Sequence, residues 1–354
     1  MLPATRASYT QHTIAATSAK TISTHNTLTL QDVLFGDVWV CSGQSNMAYS
    51  LEGANGEAIV HPPVNDSVAE IADMVNWPHI RMLRTGRAAP PLPQLELLPA
   101  GNVTGGSAGP AVVGWSRPCP AVLNGKCRAD FSNICWFYGR NIQQQLEIPI
   151  GLIGTYVGGT PDEAWSSQDA LEKCGVVSPN LQQQDTKGVE VDGERAAGDD
   201  QQHGTQSAPN VELRGTVKEP HSALWNGMVA PLLRSTIKGA VWYQGESDAS
   251  HPGGARDGYN CTFPAMIADW RSKWSASTNG LTNATFPFGF VQLNSVGNAS
   301  AYTNVTDPSN GDPYQPSPYG YAGLRWSQSA GYGYTPNPKM PNVFMAVCYD
   351  TPDV

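Results

Sequence analysis

Short, uninterrupted apolar runs alternate along the chain with longer amphipathic stretches. The runs are rich in Val, Ile and aromatic residues, which predicts strands. They are DVWVC (37–41), HIRML (79–83), IGLIGTYV (150–157), GAVWYQ (239–244), FGFVQL (288–293) and NVFMAVCY (342–349). Most lack the polar–apolar alternation of a half-exposed strand, so we expect both faces of the sheet to be covered.

Segments with helical periodicity separate these runs. The clearest are NICWFYGRNIQQQL, SSQDALEKC with a serine to cap it, HSALWNGMVAPLLR and FPAMIADWRSKW. Strand, helix and strand in repetition predict an α/β fold in which a mainly parallel sheet lies between helices, a three-layer α/β/α arrangement. Such folds place their chemistry at the carboxyl ends of the strands.

Two regions depart from this pattern. Residues 1–36 are Thr-rich and alternating, which predicts β-hairpin material ahead of an α/β domain that occupies residues 37–354. Residues 181–218 are polar, aperiodic and rich in Gln, Asp and Gly, which predicts a surface insertion in the α/β domain.

Composition narrows the classes of partner. The 354 residues carry a formal charge of −9 and their Lys and Arg are scattered, which argues against a nucleic-acid partner. No apolar stretch approaches the roughly 20 residues that a membrane helix needs, so no membrane span is expected. The first residues, MLPATRASYTQHT, lack the apolar core of a signal peptide.

Other features are typical of secreted proteins. Six N-x-S/T triplets are candidate glycosylation sites, at Asn65, Asn102, Asn260, Asn283, Asn298 and Asn304. Seven cysteines show no zinc-ligand spacing, so no metal is expected. Cys119 and Cys127 flank a loop-like segment and are a plausible local disulfide, which would need an oxidising compartment.

The segment GDVWVCSGQSNM places Ser45 where a strand turns into a helix. This position exposes the hydroxyl beside the first N–H groups of the helix, which can stabilise an oxyanion. For an arbitrary serine after a strand, a helix cap is the better explanation, and the local motif alone does not decide. The G-x-S-x-G elbow of other hydrolases is absent.

Two further strand ends favour the nucleophile over the cap. One strand ends at Gly158 and Gly159, where a backbone without side chains can approach a ligand, and another ends at Gln244, followed by Gly245 and Glu246. Three such turns at one edge of a parallel sheet supply a nucleophile, backbone donors and an amide donor. This set predicts acyl transfer through an oxyanion, without a metal or organic cofactor.

At this point a family resemblance becomes specific. GDVWVCSGQSNM, PIGLIGTYVGGTPDEAWSS, HSALWNGMVAPL, KGAVWYQGESD and LRWSQSAGYGYTPNPKMPNVFMAV follow one another as in the sialate O-acetylesterases of the SGNH hydrolase superfamily. The resemblance implies a flavodoxin-like SGNH-hydrolase domain that removes O-acetyl groups from sialic acids or sialoglycans. It also implies a glycosylated protein that is secreted or lysosomal.

The resemblance carries roles onto single residues. It makes Ser45 the nucleophile, and its oxyanion donors would be the N–H of Ser45, the N–H of Gly159 or Gly158, and the side chain of Gln244. Glu246 is a candidate supporting acid, for which a salt bridge or a helix cap is the alternative. Trp165, Trp242 and Tyr243 are candidates for a sugar pocket, although tryptophans beside strand ends usually belong to the core.

A base for Ser45 is the missing element. In the resembled family a histidine lies downstream of the strand matched by NVFMAVCYD, whereas this chain ends at DTPDV and has no histidine after His251. We therefore expect that the base histidine is absent from this chain, which is predicted to be truncated at both ends. Asp248 and His251 have the D-x-x-H spacing of a base with its orienting acid. They share a loop with Gln244, from which turning back onto Ser45 would be difficult, so the missing downstream histidine is the favoured base. His79 and His221 are expected to be structural.

Two alternatives remain open on the sequence alone. One is an acetyl esterase for other polysaccharides, because such SGNH relatives share the G-Q-S-N and Q-G-E segments. The other is a non-catalytic sugar-binding protein that keeps the crevice between the three turns and has lost the histidine that would serve as base.

Overall fold

The computed structural model describes residues 5–17, 27–53, 63–97, 113–118, 131–176, 220–249, 256–294 and 320–348. Its strands are β1 (Ser8–Thr17), β2 (Thr27–Phe35), β3 (Asp37–Gly43), β4 (Ile80–Arg84), β5 (Val113–Ser116), β6 (Ile150–Tyr156), β7 (Gly239–Tyr243), β8 (Phe288–Gln292) and β9 (Val343–Val347). Its α-helices are α1 (Ser45–Ala48), α2 (Ser67–Asp73), α3 (Asn133–Leu146), α4 (Asp162–Trp165), α5 (Gln168–Glu172), α6 (Glu246–Ala249), α7 (Arg256–Ser277) and α8 (Gly320–Gln328). The predicted insertion at 181–218 lies outside the described residues.

The core of the fold is a seven-stranded sheet in the order β5-β4-β6-β3-β7-β8-β9. Every neighbouring pair is parallel except β4 and β5, which are antiparallel. Strand β3 occupies the centre, with β6 on one side and β7 on the other. The prediction of a mainly parallel sheet is therefore confirmed, and the antiparallel edge strand β5 is an addition that the apolar runs do not indicate.

Both faces of the sheet are covered, because successive residues of a strand point to opposite faces. In β3, Trp39 and Cys41 join a hydrophobic cluster that includes residues of α3, whereas Val40 joins a second cluster that includes residues of α4 and α7. In β6, Leu152 belongs to the first cluster and Ile153 to the second. The three-layer α/β/α prediction is confirmed.

Aromatic side chains dominate the second cluster. Trp242 of β7 meets Trp165 of α4 and Trp270 of α7 edge-on, with ring centroids 6.1 Å apart in both pairs. Trp165 and Trp242 are fully buried, so they belong to the core and not to a sugar pocket. Tyr243 is half-buried.

One predicted helix differs in form. The segment HSALWNGMVAPLLR folds mainly as a π-helix over Trp225–Val229 and a 3₁₀ turn over Ala230–Leu232. Gly227 lies so close to the Ala88 backbone that a Cβ there would sit 2.3 Å from its carbonyl oxygen. Pro231 lacks the N–H that a regular helix would use. Serine caps are found as expected at α5, where the Ser167 hydroxyl accepts from the Ala170 N–H.

Two disulfides join described parts of the fold. Cys41 of β3 is bonded to Cys135 of α3, and Cys174, which follows α5, is bonded to Cys261 of α7. The predicted pair, Cys119 and Cys127, lies outside the described residues. Each observed bridge ties a helix of the outer layers to a distant part of the chain.

The β1–β2 hairpin is a separate two-stranded antiparallel sheet. It is anchored by Asp32, whose carboxylate pairs with Arg81 at 2.9 Å and with Arg117 at 2.8 Å. Tyr9 stacks on His79 with ring centroids 4.0 Å apart, which agrees with a structural role for that histidine. The division of the chain at residue 36 stays a prediction. None of the described helices combines the length and apolar character needed to span a bilayer.

Arg271 on α7 joins the helical layer to the loops that lead into β8 and β9. Its guanidinium donates to the carbonyl oxygens of Phe286, Pro341 and Asn342 at 2.7–3.0 Å. Burial lowers its pKa to about 10. The charge is thus kept in the interior by carbonyl dipoles.

We expect Arg271→Met to lower the free energy of unfolding by about 1–3 kcal/mol, because three carbonyl groups lose their donor. Urea unfolding followed by tryptophan fluorescence measures the change. Arg234→Met removes an exposed arginine and should stay within about 0.5 kcal/mol of the parent. Equal stability of the two variants would contradict the role given to Arg271.

Candidate active site

Ser45 lies at the exposed carboxyl edge of the central strand. Strand β3 ends at Gly43, which has a φ of +139°, and a Cβ there would sit 2.1 Å from the Tyr243 carbonyl oxygen. With no side chain in the way, the Gln44 N–H donates to that oxygen at 2.9 Å, and the Val157 N–H donates to Gly43 at 3.1 Å. The turn is thereby clamped between the ends of β6 and β7, and Ser45 begins α1 with its side chain exposed.

The Gly158–Gly159 turn, which follows β6, lies directly beside Ser45. A Cβ built on Gly158 would be 3.7 Å from both Cα and Cβ of the serine. Gly159 has a φ of +72°, which favours glycine, and open space where its side chain would be. Both glycines are exposed, so their backbone is accessible to a ligand bound at Ser45.

Gln244, the third predicted member, is fully buried. Its amide nitrogen donates to the Thr160 carbonyl at 3.0 Å and to the Asp248 carboxylate, while its oxygen accepts from the Tyr259 hydroxyl at 3.0 Å. An amide nitrogen carries two hydrogens, and both are engaged here. Gln244 therefore braces the turns in this structure, and its role as an oxyanion donor stays a prediction that requires these bonds to be exchanged.

Gln44 is a site residue that sequence reasoning missed. Its side-chain oxygen accepts from the N–H of Gly245 at 3.4 Å and of Ser247 at 3.2 Å. Its amide nitrogen lies 3.5 Å from Ser45 Oγ. Adjacency to the serine is the signal in the sequence, but it does not tell which glutamine of the molecule faces the hydroxyl.

Asn46 makes a second link to the same turn. Its side-chain nitrogen donates to Glu246 Oε1 at 2.5 Å. Burial raises the pKa of the Glu246 carboxyl, although its own backbone N–H and Asn46 oppose the rise. Glu246 thus contacts the residue that follows Ser45, as a supporting acid would, and its assigned role stays a prediction.

With this geometry in place, comparisons with known proteins decide the family resemblance. The chain is 35% identical to the sialate O-acetylesterase of Mus musculus over 342 residues, which are 94% of this chain and 54% of the relative. It is 36% identical to the Homo sapiens enzyme of the same name over 327 residues, 92% of this chain and 50% of the relative. The resemblance to the sialate O-acetylesterases is confirmed.

The chain spans about half the length of these curated sialate O-acetylesterases. Among solved structures, a carbohydrate acetylesterase from Xanthomonas citri matches with a TM-score of 0.56 and 24% identity, covering 91% of this chain and 52% of that one. That match supports the fold. No protein-family model matches the chain.

Beneath the turns lies a buried cluster of three carboxyl groups, Asp162, Glu163 and Asp248, whose oxygens approach within 4.8 Å of one another. The Asp162 N–H donates to Asp248 at 3.3 Å, and the Thr262 hydroxyl donates to Asp162 at 2.6 Å. Because Asp248 is buried among these partners and Gln244, its side chain is engaged away from solvent. His251, the other half of the D-x-x-H pattern, lies outside the described residues.

The carboxyl cluster has the oxygen donors that a hard cation prefers. A proton retained by one of the three carboxyl groups is the other way to reduce the negative charge of the cluster. Burial raises the pKa of Asp162 well above its usual range, and the neighbouring carboxylates of Asp248 and Glu163 raise it further. When no cation is bound, the direction of this shift favours a proton retained in the cluster, and no step of the chemistry below depends on a metal here.

The cluster predicts a specific pH dependence of stability. Because the pKa of Asp162 is higher in the folded than in the unfolded state, its ionisation opposes folding as pH rises above about 4. Asp162→Asn removes this penalty, so the variant should gain stability relative to the parent as pH rises from about 4 towards neutral. Chemical unfolding across that range measures it.

Asp169→Asn is the control with the opposite sign. Partial burial opposes ionisation of Asp169, but hydrogen bonds from Lys273 and Ser167 outweigh it and lower its pKa. This variant should be less stable than the parent by an amount that grows as pH rises to about 4 and then stays constant through the interval in which Asp162→Asn gains stability. A difference between Asp162→Asn and the parent that does not change with pH would refute the proton-sharing interpretation.

Proposed function

We propose that this chain carries the nucleophile of a serine carboxylic-ester hydrolase that removes O-acetyl groups from sialic acids. The observation that carries the proposal is the exposed Ser45 at a parallel-sheet edge, so close to Gly158 that a Cβ there would lie 3.7 Å from the serine Cβ, in a chain 35–36% identical to sialate O-acetylesterases. O-acetylated sialic acid or sialoglycan is the proposed substrate because that is the activity named for these relatives.

Two acyl-transfer steps follow from this arrangement. Ser45 Oγ attacks the acetyl carbonyl and its proton passes to a base, which gives a tetrahedral oxyanion. Collapse breaks the acetyl C–O bond, the sugar oxygen leaves with a proton, and an acetyl-serine remains. Water then adds to that ester, and acetate departs as the Ser45 hydroxyl is restored.

The turn that follows β3 and the turn that follows β6 supply backbone donors for the oxyanion. The N–H groups of Ser45 and Gly159 make no hydrogen bond to another described residue. No described histidine is hydrogen-bonded to Ser45. We therefore expect the base to come from outside the described ranges.

Acetate release from 9-O-acetylated sialic acid tests the function in the full-length protein. We expect Ser45→Ala to reduce kcat by at least about 1,000-fold. The matched control is Ser42→Ala in β3, because the Ser42 hydroxyl is fully buried and lacks a hydrogen-bond partner among the described residues. The control should retain parental turnover.

Three other outcomes would count against the proposal. Equal release by Ser45→Ala and the parent would remove Ser45 from the mechanism. Binding of the sugar without turnover by either protein would favour a non-catalytic function. Faster release from acetylated xylan than from sialic acid would favour a polysaccharide acetyl esterase.

The same proposal includes a secreted or lysosomal, glycosylated protein. Two disulfides support it, since such bonds persist in oxidising compartments. Asn65 and Asn283 are exposed in turns of the described surface. Asn260 is exposed on α7, but Thr262 of its triplet is buried and donates to Asp162. Asn102, Asn298 and Asn304 lie outside the described residues.

We expect the protein made in a eukaryotic secretory pathway to lose mass on treatment with peptide N-glycosidase. Asn283→Gln should remove one glycan, because the side chain lies in an exposed turn closed by Thr285. The control is Asn279→Gln, at an Asn that is exposed but has no acceptor triplet. An unchanged mass of the parent after treatment would argue against glycosylation.

A further inference from the structure

We infer that Gln44, and not Gln244, supplies the side-chain amide donor to the oxyanion formed at Ser45. The inference deepens the proposed function and rests on it. It follows from how the two glutamines use their hydrogen-bonding groups, since each carries two N–H donors and one carbonyl acceptor.

The two glutamines are committed in opposite ways. Gln244 uses its nitrogen for the Thr160 carbonyl and the Asp248 carboxylate, which leaves no N–H for a ligand. Gln44 uses its oxygen, which accepts from the N–H groups of Gly245 and Ser247. When the oxygen of an amide is held in this way, the nitrogen must point to the opposite side.

The nucleophile, Ser45, lies on the side to which the nitrogen points. Gln44 Nε2 lies 3.5 Å from Ser45 Oγ, longer than the 2.7–3.2 Å usual for such a hydrogen bond. The oxyanion of the tetrahedral intermediate is two bonds from Oγ, so it forms in the neighbourhood of this N–H group. A donor that is loosely engaged in the resting site and aimed at the position of developing charge matches the requirement for transition-state stabilisation.

The framework around Gln44 keeps this donor in place. The side chain is 2% exposed, and its backbone N–H is bonded to Tyr243 at 2.9 Å. Gly245, which donates to the side chain, has a φ of +141°, and a Cβ there would lie 2.5 Å from a Leu324 methyl group. Both the backbone and the side chain of Gln44 are thus held by the segment that follows β7. Such preorganisation avoids reorganisation during the reaction.

Gln44→Glu is the decisive substitution. One carboxylate oxygen can still accept from Gly245 and Ser247, but the other has no hydrogen to donate at neutral pH. In the full-length protein we expect kcat for acetate release to fall about 100- to 1,000-fold, with KM changed only a few-fold. Gln244→Met, which removes the brace, should lower the melting temperature and reduce kcat of the folded fraction by less than about tenfold.

A pH profile separates donation from mere support. Protonation of the introduced carboxyl restores an O–H donor, so the ratio of variant to parental kcat should rise as pH falls from about 7 to about 5. A purely structural role would leave that ratio flat. A flat ratio, parental kcat in Gln44→Glu, or a larger kcat loss in Gln244→Met at unchanged stability would each overturn the inference.

A second readout does not depend on the sugar. A fluorophosphonate labels an activated serine, and its phosphoryl oxygen occupies the oxyanion position. Mass spectrometry should show labelling of Ser45 in the parent and at least about tenfold slower labelling in Gln44→Glu. If the parent releases no acetate from the sialic acid substrate but the labelling difference between parent and Gln44→Glu is still seen, the proposed substrate is rejected and the role of Gln44 is kept. Equal labelling rates would reject the role of Gln44 alone.

Discussion

The site depends on one close backbone approach, that of Gly43 to Tyr243. A Cβ at Gly43 would lie 2.1 Å from the Tyr243 carbonyl oxygen, so only glycine allows the ends of β3 and β7 to meet. The Gln44 N–H bonds to that oxygen, and the Gly43 carbonyl is bonded on its other side by Val157. Because β3 is central, this contact places the Ser45 turn between the turns that follow β6 and β7. The alignment needed for acyl transfer is thus a property of the sheet.

Three buried carboxyl groups beneath the turns determine the electrostatics of the interior next to the site. Asp162, Glu163 and Asp248 lie together, and Asp248 contacts Gln244 and the backbone of Asp162. Charges this close in a poorly solvated interior repel each other, so a proton held among them favours the folded state. The cluster then acts as a hydrogen-bonded support for the Gly-Gly and Gln-Gly-Glu turns, and this support is strongest at acidic pH.

The sequence predicts the layers and the edge of the sheet, because continuous apolar runs and turn glycines are local signals. Local signals also indicate Ser45 and the Gly158–Gly159 turn. They do not indicate the disulfide partners Cys41 and Cys135, which are 94 positions apart and meet only when α3 packs on β3. For the same reason the roles of Gln44 and Gln244 could not be told apart, since the partners that engage each amide come from other turns. The very short strand β5 has too few apolar residues to be predicted.

The triplet Gln44-Ser45-Asn46 shows why the nucleophile turn needs no acid or histidine of its own. The side chains on either side of the serine both reach the turn after β7, Gln44 through the N–H groups of Gly245 and Ser247 and Asn46 through Glu246. Ser45 is the member of the triplet that makes no bond to that turn, and its side chain remains exposed. A change in either neighbour would act on Ser45 through the turn that follows β7. The motif is best understood as one half of an interlocked pair of turns, in which the polar neighbours supply position and one amide hydrogen while the serine supplies the reacting oxygen.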